Sequence, residues 1–204
     1  MEKIAKEKYW KFLISYLKVS IAFLLTYPAI NYFTEFRTDI HHFYFVFEKE
    51  LPLIPWMVIP YFSINLLFIL PVFYVEGEDI SIIEKCFLIT LVISCFIFLI
   101  FPTTLGFNTN NPEYFNEIFN SIKKVDKPYN LFPSLHVGFS SIVFLYLFKK
   151  EKKFLLKLFY SIWMIFIFSS VIFTHQHHLL DIVSGYAIAH SVFKIFFSTY
   201  GARS

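Results

Sequence analysis

Residues Ile82–Phe101 read IIEKCFLITLVISCFIFLIF. Beyond Lys85 the stretch carries no charge, and its length matches the roughly 20 apolar helical residues that a bilayer core requires. Comparable runs occupy 12–31, 54–75, 131–148, 154–173 and 179–199. Strands of a membrane barrel would be about ten residues long and would alternate strictly; these runs are longer and continuous. The reading is an all-α integral membrane protein, a bundle of six transmembrane helices. Composition agrees. Of 204 residues, 57% are hydrophobic and 16% charged, and Phe alone contributes 29. A soluble domain has about 25% charged residues, and a chain this short could not bury so much apolar surface. Disorder needs low hydrophobicity and is excluded as well. Without internal repeats or low-complexity segments, residues 1–204 are expected to form a single membrane domain.

Punctuation within the runs refines this picture. Pro52 and Pro55 suit the entry of the second span, whereas Pro60 and Pro71 inside it predict kinks. Pro133 falls near the start of the fourth span, where a missing N–H costs nothing. Lys3, Lys6, Lys8 and Lys11 ahead of the first span resemble a signal peptide, but Thr26-Tyr27-Pro28-Ala29-Ile30 offers no small-residue cleavage site. A retained anchor is expected. Cys86 and Cys95 lie nine helical residues apart, roughly 13 Å along the axis and on opposite faces, too far for a disulfide. The net charge of +3 is too mild to argue for nucleic acid.

Lys and Arg set the expected orientation. With six spans and a cytoplasmic N-terminus, the C-terminus is cytoplasmic too. Lys3, Lys6, Lys8, Lys11, Lys85, the Lys149–Lys157 loop, Lys194 and Arg203 then face the cytoplasm. Only Arg37, Lys49, Lys123, Lys124 and Lys127 lie opposite. Two polar segments open on that outer, extracytoplasmic face: the loop 102–130, with Thr103, Thr104, Asn108, Thr109, Asn110, Asn111 and Glu113, and the turn Thr174-His175-Gln176-His177-His178.

The scarce polar residues concentrate at two helix starts on this face. In Asn130-Leu131-Phe132-Pro133-Ser134-Leu135-His136, Asn130 is the expected N-cap. The unpaired N–H groups and positive dipole end of such a terminus favour an anion such as phosphate, and Ser134 and His136 add side-chain donors. In His177-His178-Leu179-Leu180-Asp181, His177 and Asp181 stand at i and i+4, neighbours on one helical face. A carboxylate there holds the imidazole in one tautomer and leaves Nε2 free to attack. Asp at the rim of an apolar helix is costly unless paired. Two other readings compete. A metal site would draw on His136, His175, His177, His178 and Asp181, although their spacing is not that of a zinc protease. An intramembrane serine protease would pair Ser134 with His177, but Gly-x-Ser-x-Gly is absent. His190, nine residues from Asp181, turns to the opposite face and is expected to be structural; His41 and His42 are expected to be interfacial.

Pro133-Ser134-Leu135-His136 followed by Ser170-Val171, five residues, His177, three residues and Asp181 resembles two of the three sequence patterns of the type 2 phosphatidic acid phosphatase superfamily. Within it, Asn-x-Phe-Pro-Ser-Leu-His with Thr-x-Gln-His-His-x-x-Asp looks most like the branch of inositol phosphorylceramide synthase relatives. The resemblance covers roughly 52–199. It departs from the family where Val171 replaces the third-pattern Arg, and where the first pattern's Lys and Arg have no counterpart around Phe101–Pro112. Lys127, just upstream of Asn130, is the expected replacement cation.

The resemblance implies a metal-independent enzyme without cofactors, acting on a lipid phosphate drawn from the membrane. His177 attacks phosphorus to give a phosphohistidine, Asp181 orients it, and His136 protonates the leaving oxygen. Ser134, Asn130 and Lys127 bind the phosphoryl group. The expected activity is a phosphatase hydrolysing a phosphomonoester or pyrophosphate lipid headgroup; the alternatives are a lipid phosphotransferase with a second alcohol as acceptor, or an inactive lipid-binding protein. A bacterial inner membrane is the expected setting.

Overall fold

The computed structural model describes residues 2–107 and 112–201. Asn108, Thr109, Asn110 and Asn111 of the polar loop, and Arg203, lie outside the described residues. The elements are helical: α1 (Glu2–Glu35), α2 (Val58–Phe62), α3 (Ile64–Ile69), α4 (Pro71–Tyr74), α5 (Asp79–Ile100), α6 (Asn116–Val125), α7 (Leu135–Lys150), α8 (Phe154–Phe173) and α9 (Leu179–Gly201). Among the described residues, five stretches are long and apolar enough to cross a membrane: Lys6–Glu35, Pro55–Tyr74, Asp79–Ile100, Phe154–Phe173 and Leu179–Ser198. The expected fourth span is α7, whose 16 residues fall short of that length. It is also the most enclosed of the helices described, with Val137, Gly138, Ser140, Ile142, Val143, Tyr146 and Leu147 all buried.

The second span is broken as its prolines demand. α3 stops at Leu70, and Pro71 opens α4, where it needs no N–H partner. Pro60 sits within α2, and the break that follows falls at Ser63, whose hydroxyl donates to the Pro60 carbonyl at 2.6 Å. Between α4 and α5 the chain turns at Gly77, with φ +52°, a left-handed conformation that favours glycine.

At the end of the bundle away from the histidines, Asp79 fastens α5 to α7 and to the turn before it. It accepts from the Glu76 N–H at 3.1 Å and from the Tyr146 hydroxyl at 2.8 Å, and it pairs with Lys150 at 2.8 Å. Glu151 accepts the N–H groups of Lys152 and Lys153, each at 2.7 Å, which ties off the short link from α7 to α8. Apolar packing does the rest. α7 lies between α5, α8 and α9, around Cys86, Leu91, Phe98, Ile142, Tyr146, Leu147, Ile167 and Ala189. Both cysteines are free.

Candidate active site

The start of α7 is capped by Ser134 and not, as its sequence context predicts, by Asn130. Ser134 has extended backbone and its Oγ accepts the Val137 N–H at 3.2 Å. Asn130 lies four residues earlier, buried against α1, where its side chain meets the Thr34 hydroxyl at 2.9 Å. Pro133 therefore precedes the cap. The segment between is held by Thr103, whose Oγ1 accepts the N–H groups of Leu131 and Phe132 at 3.3 and 3.2 Å.

His177 owes its position to the way α8 ends. His175 adopts φ +57°. Its N–H donates to the Ile172 carbonyl at 2.8 Å, and the Gln176 N–H donates to the Val171 carbonyl at 2.9 Å. These paired bonds make a Schellman stop, here with His where Gly is usual. The His177 N–H also reaches the Val171 carbonyl, at 2.9 Å. Val171, at the position of the expected Arg, thus contributes its backbone, and its side chain is buried.

His177 precedes α9 instead of lying on its face. Its Nδ1 still stands 3.4 Å from Asp181 Oδ2. That separation is long for a hydrogen bond, because the same oxygen accepts the His178 N–H at 2.8 Å. Asp181 is thus both the cap of α9 and the neighbour of His177. Catalytic hydrogen bonds of ligand-free sites are often loose in this way and tighten on substrate.

The two helix starts are clamped by their backbones. The Ser134 N–H donates to the Asp181 carbonyl at 3.0 Å, and α9 presents Gly185 to the Ser134 carbonyl. A Cβ at Gly185 would lie 2.4 Å from that oxygen, whereas at Gly138 it would first meet the Thr90 methyl at 3.3 Å. Gly185→Ala is therefore expected to cost about 1–3 kcal/mol, with loss of activity, while Gly138→Ala costs less. Thermal unfolding of the two variants in detergent checks this; equal melting temperatures would contradict it.

His136, in the first turn of α7, stacks on Tyr61 with ring centroids 4.3 Å apart. Its Nε2 is buried without a hydrogen-bond partner. His136 and His177 both line a cavity of about 390 Å³. From this polar head the cavity runs between α1, the broken second span, α5 and α7 to Phe12, Ser15 and Ile80. From Tyr27 to Phe12 it follows α1 for roughly 22 Å. Asn130 and Asp126 line the same head. Lys127 does not: its ammonium pairs with Glu35, and its carbonyl accepts from the Asn31 side chain at 2.8 Å. The expected replacement cation is occupied at the end of α1.

Two carboxylates here escaped the sequence reading. Glu48 is fully buried. Its Oε1 accepts the Leu179 N–H at 2.8 Å, its Oε2 accepts the Phe45 N–H at 3.0 Å, and Oε2 lies 3.1 Å from His178 Nδ1. His178 Nε2 accepts the Gly106 N–H at 3.0 Å, so the proton belongs on Nδ1, towards Glu48. Burial holds this imidazole below its ordinary pKa. Phe107 stacks between His175 and His178, at 4.1 and 4.3 Å. Asp126 accepts the Tyr27 hydroxyl at 2.6 Å, and burial pushes its carboxyl up despite the nearby His177.

The remaining histidines stand apart. His190 is exposed on α9 beside Tyr186, and His41 bridges to Thr103 through its backbone. Among the described residues no three His, Cys, Asp or Glu side chains converge in a metal-binding group.

The turn that carries His177 and the start of α7 thus meet at one end of an apolar helical bundle, on a shared cavity. A family model, PAP2 superfamily, matches residues 39–195. The chain belongs to the PAP2 superfamily. No curated protein and no solved structure matches it. Membership supports a phosphatase or phosphotransferase type of activity on lipid phosphates.

Proposed function

We propose that the protein transfers the phosphoryl group of a membrane lipid through a phosphohistidine on His177. The observation that carries this reading is the pairing of His177 with Asp181 at one end of an apolar cavity that also holds His136. His177 Nε2 attacks phosphorus in line with the departing lipid oxygen, and Asp181 steadies the ring as it gains charge. His136 gives its proton to the leaving oxygen and recovers one from the acceptor. The N–H groups at the start of α7 and the Ser134 hydroxyl hold the phosphoryl oxygens. The lipid tail occupies the apolar length of the cavity. With water as acceptor this is a lipid-phosphate phosphatase, the activity expected from the sequence; a second alcohol makes it a phosphotransferase. In the orientation set by the lysines, the site opens on the extracytoplasmic face and both termini are cytoplasmic.

The test is chemical trapping. Purified protein mixed briefly with lipid phosphates and quenched in alkali is expected to carry an acid-labile adduct on His177, and excess chelator should leave its yield within about twofold. Turnover without such an adduct would remove the nucleophile; turnover abolished by chelator would remove the metal-free mechanism.

A further inference from the structure

Of the described residues lining the cavity, one is acidic, Asp126, and none is Lys or Arg. Asp126 is half-buried, and its Oδ1 accepts the Tyr27 hydroxyl at 2.6 Å. No step of the proposed mechanism uses it. The titratable groups that share its space are Tyr27 from α1, Tyr61 from α2, His136 from α7 and His177. The lysines on either side of it in sequence stay outside. Lys123 and Lys124 are exposed in the last turn of α6 and do not line the cavity, and Lys127 pairs with Glu35.

A charged carboxylate fits this place badly. Asp126 is the C-cap of α6, where the unpaired carbonyls of a helix end already make the potential negative. Lys123 and Lys124 answer that potential from the solvent side. Burial raises the carboxyl against the lowering pull of the Tyr27 hydroxyl and His177. A phosphoryl group entering the head brings further negative charge, which favours the protonated form again. A carboxyl kept neutral reverses its effect on phosphate, because it changes from a repelling acceptor to a hydrogen-bond donor. With Oδ1 accepting from Tyr27, the proton belongs on Oδ2.

We propose that Asp126 binds the phosphoryl group as a neutral carboxylic acid, its Oδ2–H donating to a phosphoryl oxygen where the cavity lining supplies no cation. This rests on phosphoryl transfer through His177 and adds a binding residue to that site. The proton is shared with the substrate and not transferred, so His136 remains the acid for the leaving oxygen. The bond exists only while the carboxyl is protonated. It is present at low pH and is lost as pH rises through the pKa of Asp126. On the alkaline side kcat/KM therefore needs two protons on the enzyme, one on His136 and one on Asp126.

The experiment follows diacylglycerol release from phosphatidic acid in detergent micelles by the purified full chain, as kcat/KM against pH. Asp126→Ala removes the donor and is expected to lower kcat/KM by about tenfold to a hundredfold. Asp126→Asn supplies a neutral N–H donor of the same shape and should recover about tenfold of that loss. Because this donor does not titrate, the alkaline limb of Asp126→Asn should be shallower than the wild type's by about tenfold per pH unit. Asp126→Glu should keep the steep limb. Ionisation of the substrate is common to all the proteins, and a partly misfolded preparation scales a profile without changing its slope. Equal alkaline slopes in the wild type and Asp126→Asn, or Asp126→Asn no faster than Asp126→Ala, would overturn the proposal. So would a change confined to the acidic limb, which would mean that Asp126 acts as a carboxylate. Any of these results with the His177 adduct still formed leaves phosphoryl transfer standing. Absence of both release and adduct overturns the two together.

Discussion

Replacing His177 by Ala is expected to reduce turnover of a lipid phosphate by about 10⁴-fold or more while the protein stays folded, because removing a nucleophile removes the covalent route altogether. The side chain bears no structural bond: its Nδ1 has no hydrogen-bond partner within normal geometry. The backbone bond of His177 to Val171 survives in any residue. Asp181→Asn should be milder in chemistry, with a loss on the order of 10²–10⁴, since the amide oxygen still caps His178 but offers the imidazole no charge. Rates measured with gel filtration and circular dichroism alongside separate catalysis from folding. A His177→Ala protein that releases diacylglycerol at more than about a hundredth of the wild-type rate would show that another group attacks phosphorus.

The second large effect is on stability. Glu48→Ala leaves three groups without their partner: the Leu179 N–H, the Phe45 N–H and the His178 ring. Each buried donor left without its acceptor costs about 1–3 kcal/mol, and here several are orphaned at once. Glu48→Gln retains an acceptor for Leu179 and should lose less. Thermal unfolding in detergent, followed by tryptophan fluorescence, reads both. An Ala variant that unfolds within about 1 kcal/mol of the wild type would mean that the first loop does not hold α9. Activity should fall together with stability, since the start of α9 carries Asp181.

The parts of the site visible in the sequence are those whose geometry is local. His177 and Asp181, four residues apart, and Ser134 and His136, two apart, come together through helix starts that short-range signals announce. That His177 sits just before α9 did not matter, because capping of His178 by Asp181 brings the same two side chains close. Asn130 and Ser134 are about equally good caps by residue type, and only tertiary packing of Asn130 against Thr34 decides between them. Glu48 and Asp126 gave no signal at all. Their partners lie 131 and 99 residues away, at Leu179 and Tyr27, and no periodicity encodes contacts of that range. Lys127 lies nearest in sequence to the site, and Glu35 claims it in space. Apolar length identified five of the expected spans. It also picks out α7, whose 16 helical residues are shorter than the other spans and are enclosed by neighbouring helices.

The PAP2 match begins at residue 39, and α1 ends at Glu35. Yet Phe12, Ser15, Tyr16, Val19, Ser20, Phe23, Leu24 and Tyr27 of α1 form one wall of the cavity. His136 and His177 thus belong to the matched core, while much of the cavity wall belongs to a preceding helix. Under the proposed function, such a division separates the chemistry from the choice of tail. Mutations along that wall can widen, shorten or plug the channel without touching His136, His177 or Asp181. Selectivity for the hydrocarbon can therefore drift at little catalytic risk, as in a lock whose bolt and wards are cut from different pieces.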